Sequence, residues 1–187
     1  MKEHIRIVGV DDGPFDFGEE RCMFAGVLMR MPDTLEGMSL SRLDVDGDDS
    51  ALRISEMMEK KGWNGLAHVM MTDGASMGGF NLIDTEEIYR RTGVPAMTVT
   101  HEKPDMNSIK EAMKGHFQDW EERYERLAYR EIHKISVDEG TVFISFSGMD
   151  LADAKGMVRK SILHGLTPEP VRLAHMIARA VREYEGR

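Results

Sequence analysis

The sequence predicts an α/β fold built on a mixed β-sheet, and two features of its pattern support this prediction. Three strand-like segments follow one another near the amino terminus with only short connections, which is typical of an antiparallel meander. After residue 48, segments with a helical period alternate with short apolar runs, which predicts parallel strands joined by crossover helices. With 187 residues the chain is long enough to bury one core, so we expect a single domain over residues 1–187.

The first strand is predicted from Ile5 to Val10, where β-branched residues dominate and turn residues follow. It ends in Asp11, Asp12 and Gly13. Asp and Gly are the residues that turns require, so this tripeptide has one interpretation as a simple turn. The other interpretation is that the strand delivers a carboxylate to a functional site at the edge of a sheet.

Two more strands complete the meander. Residues 22–30 are almost continuously apolar, and the Met-Pro-Asp-Thr segment at 31–34 predicts a turn. Residues 37–45 alternate between polar and apolar, which is typical of a strand with one face exposed to solvent.

The remaining elements alternate between helix and strand. Asp49 or Ser50 begins a helix that Gly62 ends, and a doubly buried strand at 66–72 leads into Asp73 and a glycine-rich loop at 74–80. The later elements are predicted as a helix at 84–91, a strand at 96–100, a long amphipathic helix from Asn107 to about Arg130, a strand at 141–146, and helices at 151–163 and 168–184.

Three strands followed by helix, strand, helix and strand is the element order of the ribonuclease H-like fold, here with extra carboxyl-terminal helices. In that architecture the first strand is central and lies beside the fourth, so Asp11 and Asp73 are expected to face each other. Two or three carboxylates at such a point can hold Mg²⁺. Divalent cations in turn stabilise the charge that develops when a phosphodiester is cleaved.

Composition limits the classes of function. The net charge of −9 argues against a surface devoted wholly to nucleic acid. Charge is uneven, however, because residues 154–182 carry six basic side chains and one acid, a net +5. Cys22 is the only cysteine, which excludes an intrachain disulfide. Without a signal-peptide pattern or an apolar run of membrane length, we expect a cytoplasmic protein with no membrane partner.

Five separated segments form a recognisable series. They are Gly9-Val10-Asp11, the apolar run Met70–Gly74 that ends in Asp-Gly, Pro95–His101, Phe143–Gly148, and the Pro-Glu-Pro-x-Arg-x-Ala segment Pro168–Ala174. In this order they resemble the endonuclease V family, in particular an uncharacterised branch of endonuclease V-like proteins. The resemblance covers most of the chain.

The resemblance implies a nuclease or phosphodiesterase that depends on Mg²⁺ or Mn²⁺ and binds DNA or RNA. Asp11 and Asp73 match the catalytic, metal-binding aspartates of the family. In place of the family glutamate between the third strand and the first helix, this chain offers Asp46, Asp48 and Asp49, and Asp46 or Asp48 is the favoured candidate for a catalytic and metal-binding acid.

The chain departs from the family pattern at other positions. His101 stands where the family has a lysine, so it is the candidate catalytic residue there. A Gly-His pair near the last strand is replaced by Gly148-Met149-Asp150, where Asp150 offers an oxygen ligand. The family's His-Pro-Arg segment and its Pro-Tyr-Ile-Pro wedge are absent. For contact with the phosphate backbone the candidate residues are Arg172, Arg179, Lys155 and Arg159.

Three functions remain open from the sequence. The first is a Mg²⁺-dependent nuclease, and the second is a non-catalytic nucleic-acid-binding or regulatory protein that keeps the fold. The third is a nucleotide-binding protein that uses Asp11-Asp12-Gly13 and the loop at 74–79 as a phosphate cradle. That loop has neither the Gly-Lys-Ser/Thr ending nor the Gly-x-Gly-x-x-Gly spacing of phosphate-binding loops, so the third ranks last.

Overall fold

A seven-stranded mixed sheet forms the centre of the computed structural model, which describes residues 4–16 and 18–186. In this described part of the chain the strands are β1 (Arg6–Asp12), β2 (Arg21–Arg30), β3 (Thr34–Asp44), β4 (Val69–Asp73), β5 (Ser76–Met77), β6 (Asn81–Leu82), β7 (Ala96–Thr100), β8 (His133–Val137) and β9 (Gly140–Ser147). The central sheet has the order β3-β2-β1-β4-β7-β9-β8, and β5 pairs with β6 in a small separate hairpin.

Helices cover both faces of the sheet. They are α1 (Ser50–Lys60), a 3₁₀ turn (Trp63–Gly65), α2 (Thr85–Thr92), α3 (Met106–His116), α4 (Trp120–Ala128), α5 (Leu151–Ser161) and α6 (Glu169–Glu185). Within the described residues, none of these helices has the length and apolar character needed to cross a membrane.

Alternate side chains of β1 enter two different hydrophobic layers. Ile7 packs in the layer that contains residues of α5 and α6, whereas Val8 and Val10 pack in the layer that contains residues of α1 and α2. Residues of β4 divide between the two layers in the same way. Because both faces of these strands are buried, their sequences are continuous apolar runs rather than alternating ones.

The predicted meander and the first crossovers are confirmed. β1, β2 and β3 pair antiparallel in succession, β4 lies parallel to β1, and β7 lies parallel to β4. The strands predicted from sequence agree with the observed ones within three residues at each end.

The sequence analysis predicts a strand at residues 141–146 without giving its direction, and in the structure β9 runs antiparallel to β7. The chain after β7 first forms β8, which the sequence analysis missed, and a tight turn then returns β9 between β8 and β7. Only Ile135 of β8 is buried, so this edge strand carries almost no apolar pattern.

The single long helix predicted from Asn107 to about Arg130 is wrong, because the chain forms α3 and α4 with a break at Phe117. Phe117 is extended, with φ −125° and ψ 137°. Its ring packs edge-on against Phe80, and the Arg123 guanidinium lies 4.4 Å from its centre. Arg123 also donates hydrogen bonds to the carbonyl oxygens of Asp46 and Gly47. These tertiary contacts outweigh the helical period of the segment.

The backbone of α6 lies directly against β1 at Gly9. A Cβ atom at Gly9 would stand 2.1 Å from the carbonyl carbon of Pro170 and 2.4 Å from the nitrogen of Val171. At the other end of the same contact, a Cβ at Gly13 would stand 2.9 Å from the carbonyl oxygen of Ala178. Two glycines therefore allow α6 to cross β1 in close contact, and this fixes which residues of α6 reach the end of β1.

Replacing Gly9 by alanine tests this contact. The new methyl group meets backbone atoms that cannot rotate away, so we expect Gly9→Ala to lower the free energy of unfolding by roughly 2–4 kcal/mol in urea denaturation. Gly115→Ala is the matched control, because no atom lies within 4 Å of its Cβ position and it sits in helix α3. It should be neutral or stabilising by up to about 1 kcal/mol. Equal denaturation midpoints for Gly9→Ala and wild type would contradict the close packing.

Candidate functional site

Three acidic residues, Asp11, Asp12 and Asp73, lie near the ends of β1 and β4. The parallel pairing of Val10 with Thr72 places the next residues, Asp11 and Asp73, side by side at the carboxyl edge of the sheet. Asp11 is buried, with 7% of its surface exposed, and Asp12 and Asp73 are half-buried. The strand order and register thus give Asp11 and Asp73 neighbouring backbone positions at this edge.

His175 from α6 completes this group. Its Nδ1 lies 2.8 Å from Oδ2 of Asp11, and about half of its side chain is exposed. The sequence analysis missed this residue, because the motif that it used ended one position earlier, at Ala174. The available signal was the helical period: Val171, Ala174 and Ala178 form the buried stripe of α6, and His175 lies beside that stripe.

Burial and mutual repulsion dominate the electrostatics of the carboxylates. Burial, together with the neighbouring charges of Asp12 and Asp73, raises the pKa of Asp11 to about 8. Burial also raises the pKa of Asp73, and the charges of His101 and His175 oppose that rise. Within the described part of the chain no lysine or arginine forms an ion pair with these three acids, and His175 is the basic side chain in contact with Asp11.

Asp12 has a structural partner that the other two acids do not have. The backbone N–H of Gly78 donates a hydrogen bond of 2.6 Å to its Oδ2. Burial raises the pKa of Asp12, and this hydrogen bond lowers it. The loop at 74–79, considered above as a phosphate cradle, thus folds into the β5–β6 hairpin and directs this N–H to a carboxylate.

His101 lies at the rim of the cluster. It follows β7 directly, is exposed, and is close enough to Asp73 for its protonated form to lower the pKa of that carboxyl. The structure therefore brings together Asp11, Asp73 and His101 from the residues predicted by sequence, and adds Asp12 and His175.

The other predicted acids have different partners. Asp46 has a positive φ of 56° and its Oδ1 accepts a hydrogen bond of 2.8 Å from the Phe80 N–H, while Asp48 forms an ion pair with Arg126. Asp150 caps α5 by accepting a hydrogen bond from the Asp153 N–H. In this arrangement each of the three carboxylates has a different partner from Asp11 and Asp73: Asp46 and Asp48 contact segments distant in sequence, and Asp150 contacts its own helix.

The predicted basic residues divide into two groups. Arg172 and Arg179 are exposed on α6, and each is paired within the helix, with Glu169 and Glu183 respectively. Arg179 also lines a groove of about 520 Å³ together with Asp12 and His175. This groove places a cationic side chain beside the carboxylate cluster.

The second group lies on α5. Lys155 is half-buried, and Arg159 is exposed and donates a hydrogen bond of 3.4 Å to the carbonyl oxygen of Ser136 on β8. β8 is the edge strand of the sheet, and three strands separate it from β1. The basic segment of the sequence is thus not one continuous patch around the site.

The donor set at the end of β1 fits a divalent cation chemically. Carboxylate oxygens are the ligands that Mg²⁺ prefers, and a cation would offset the repulsion that raises the pKa of Asp11. In the part of the chain that the structure describes, no three His, Cys, Asp or Glu side chains are already close enough to share one ion.

Solved structures with a similar fold include two endonuclease V proteins. The chain is similar to Ciona intestinalis endonuclease V in complex with a 24mer DNA containing an inosine, with a TM-score of 0.64 and 13% identity over 97% of this chain and 87% of that one. Human endonuclease V gives a TM-score of 0.62 at 15% identity, covering 98% and 87%. The ribonuclease H-like fold predicted from the sequence is confirmed.

The family is shown by more similar proteins. Residues 3–182 match the family model described as Endonuclease dU, and the chain belongs to that family. A UPF0215 protein of Methanothermobacter thermautotrophicus is 38% identical over all of this chain and 92% of its own length. A protein of unknown function from Archaeoglobus fulgidus has a TM-score of 0.83 at 30% identity, covering 95% of this chain and 98% of that one. The resemblance to an uncharacterised branch of endonuclease V-like proteins is thus confirmed.

The raised pKa of Asp11 predicts a pH-dependent stability. The folded state keeps a proton on Asp11 up to about pH 8, whereas the unfolded chain loses it near the ordinary value of 3.8. Between these values the folded state binds more protons, so the free energy of unfolding falls as pH rises, on the order of 1 kcal/mol per pH unit. Asp11→Asn removes this titration, and in EDTA it should be more stable than wild type at pH 8 and similar at pH 4.

Urea unfolding of both proteins between pH 4 and 9 measures this difference. Asp153→Asn, which removes an exposed carboxylate on α5, is the control and should follow the wild-type profile. Parallel profiles for Asp11→Asn and wild type would show that the Asp11 carboxyl titrates normally.

Proposed function

We propose that the protein is a metal-dependent endonuclease that cleaves a phosphodiester bond of nucleic acid at the carboxyl ends of β1 and β4. The observation that carries this proposal is the burial of Asp11 next to Asp12 and Asp73, with no lysine or arginine ion-paired to the three acids among the described residues and only the histidine His175 in contact with Asp11. Burying a charge is costly unless it is paired, and an acid cluster of this kind on a stable sheet is typical of a site that gains its counter-charge from a bound ion.

Asp11 and Asp73 would hold the cation, with Asp12 as the nearest further carboxylate. When bound, Mg²⁺ or Mn²⁺ supplies an activated water and stabilises the charge on the leaving oxygen. His175 orients the Asp11 carboxylate through the hydrogen bond at 2.8 Å. His101, exposed at the rim, is placed to exchange a proton with a group bound beside Asp73.

The groove beside the cluster supports an approach of the phosphate backbone along α6. Arg179 lines it together with Asp12 and His175, so a phosphate that reaches the cluster would pass this guanidinium. The Arg179 ion pair with Glu183 is exposed and therefore weak, which leaves the guanidinium available for exchange to a phosphate oxygen.

The description of the family and the DNA bound to a similar protein indicate the class of substrate. The family is described as Endonuclease dU, and the Ciona intestinalis enzyme was solved with DNA containing an inosine. Deoxyuridine and inosine both contain a deaminated base. We therefore include nucleic acid with a deaminated base as the substrate in this proposal.

A second candidate is a nucleic-acid-binding protein that does not cleave. It is favoured by the separation of the acidic side chains, since no three His, Cys, Asp or Glu side chains among the described residues lie close enough to share one metal ion. Binding without cleavage under every metal condition would support it.

Cleavage assays with end-labelled oligonucleotides that contain one deoxyuridine or one inosine test the first candidate. With Mn²⁺ or Mg²⁺ we expect Asp11→Asn and Asp73→Asn to lower the rate by at least about 100-fold, because each removes a charged ligand of the ion. His175→Ala should lower the cleavage rate by about 10-fold, since a hydrogen bond to a metal-binding carboxylate orients that ligand. Asp153→Asn should cleave as wild type does. Wild-type rates in both site variants would exclude this cluster as the catalytic centre.

The role of Arg179 is tested by the salt dependence of binding. Arg179→Gln should weaken binding of every oligonucleotide alike and reduce the slope of log K against log salt by about 1, because one phosphate contact is lost. Arg90→Gln is the matched control, since Arg90 is an exposed arginine that pairs within a different helix, α2. An unchanged slope for Arg179→Gln would show that the backbone follows another path.

A further inference from the structure

The two edge strands of the central sheet differ in how they are protected. β8 has 5 residues, and Lys134 and Ser136 are exposed on it. β3 has 11 residues and, within the described part of the chain, pairs on one side only, with β2. Proteins commonly protect an edge strand by keeping it short or by placing lysine on it, because a free edge can pair with another chain. β3 is therefore the edge that is open to a partner.

The backbone of β3 directs hydrogen-bonding groups to this free edge. The Val45 N–H, just after β3, donates a hydrogen bond of 2.9 Å to the carbonyl oxygen of Glu20, on the β2 side. Because N–H and C=O groups alternate in direction along a strand, the even positions from 38 to 44 point away from β2. Asp44 has this direction, since its N–H donates to the Asp49 side chain. The backbone groups at the even positions from 38 to 42 are thus available to a second strand.

Three exposed apolar side chains form a stripe along the same edge. Leu35, Met38 and Leu40 are 46%, 55% and 45% exposed. Each lies opposite a residue of β2 that belongs to the hydrophobic layer of α6, so all three share the α6 face of the sheet. Single exposed apolar residues are common on protein surfaces, whereas a contiguous group of them marks an interaction surface.

The charges of this edge already have partners. Among residues 34–43 only Glu36 and Arg42 are charged. Glu36 forms ion pairs with two arginines of β1 and β2, and Arg42 pairs with Glu185 of α6. A partner must therefore supply backbone hydrogen bonds and apolar side chains rather than charge. A second copy of β3 carries both, and a phosphate backbone carries neither.

We propose that β3 pairs antiparallel with β3 of a second copy of this chain, with Ser39 at the two-fold axis, so that the two central sheets join into one. In this register Met38 lies opposite Leu40 of the second copy, and symmetry repeats the pair. Both residues direct their backbone groups to the shared edge, so each pair exchanges two hydrogen bonds. The free edge and the apolar stripe are thus complementary to themselves.

The end of α6 extends this contact. Glu185 pairs with Arg42, and the neighbouring Tyr184 is 79% exposed. Antiparallel pairing brings the Arg42 end of one strand beside Leu35 of the second copy, where the Tyr184 ring covers that leucine. The stripe is then removed from water along its whole length, and this burial drives the association.

The pairing leaves the carboxylate cluster open. β2 separates β3 from β1, so Asp11 lies away from the contact. Because the paired strands run in opposite directions, the clusters of the two copies lie at opposite edges of the joined sheet. The dimer therefore does not depend on whether the cluster cleaves nucleic acid.

Sedimentation equilibrium at micromolar concentrations tests the association. We expect wild type to have twice the mass of the 21.2 kDa chain. Leu40→Lys should raise the dissociation constant of the dimer at least about 10-fold, because each dimer would bury two unpaired charges. Ile132→Lys is the matched control, since Ile132 is 41% exposed beside β8 at the opposite edge, and it should dimerise as wild type does.

A monomeric wild type, or equal dissociation constants for Leu40→Lys and wild type, would overturn the proposal. Far-UV circular dichroism of each variant separates loss of the dimer from loss of the fold.

Cysteine crosslinking tests the register. Ser39 lies opposite itself in a pair without backbone hydrogen bonds, where Cα atoms are about 4.5 Å apart and a disulfide can form. Ser39→Cys should therefore give a covalent dimer in oxidised glutathione. Ser41→Cys is the matched control, because Ser41 is on the same face of β3 but lies opposite Gly37 of the second copy, so it should stay uncrosslinked. Wild type, with its buried Cys22, should stay uncrosslinked as well.

Equal crosslinking of Ser39→Cys and Ser41→Cys, or no crosslinking of Ser39→Cys, would overturn this pairing of the two strands.

Discussion

The close contact between the backbone of α6 and β1 is the constraint on which the arrangement of the site depends. Gly9 leaves no room for a Cβ against Pro170 and Val171. With α6 held there, Ala178 packs against Gly13 further along the same helix. His175 lies between these two contacts on α6, and its ring reaches the Asp11 carboxylate. A side chain at Gly9 would lift the helix and separate the histidine from the carboxylate. Packing at the centre of the sheet thus determines the composition of the site at its edge.

The carboxylate cluster places a cost on the fold that a ligand can relieve. Asp11 is buried beside two other acids, and its raised pKa expresses the free-energy cost of ionising it in that environment. The surrounding sheet carries this cost because β1 is paired on both sides and buried on both faces. Such a separation between a strongly packed scaffold and a destabilising site is a common compromise in proteins that bind ions or catalyse reactions.

The helical hairpin α3–α4 gives this chain a feature that the central sheet alone does not provide. It breaks at Phe117, packs on Phe80 and is tied by Arg123 to the loop at Asp46 and Gly47. Side chains of the hairpin thereby line a cavity next to Asp73, and Arg130, which follows α4, lines it as well. In the same region the Asp46 carboxylate accepts a hydrogen bond from the Phe80 N–H.

The sequence by itself determined the order of the elements, because apolar runs and turn residues are local signals. It also determined that Asp11 and Asp73 occupy neighbouring positions, because adjacent parallel strands end at the same edge of the sheet. It did not determine the position of His175, which depends on the crossing of α6 over Gly9. Nor did it determine the break at Phe117, the direction of β9, or the partners of Asp46 and Asp48. Those features result from contacts between residues far apart in the chain, where the energy of packing and ion pairing overrides the local period. Local pattern therefore decided the sheet, and tertiary packing decided which side chains meet at its edge.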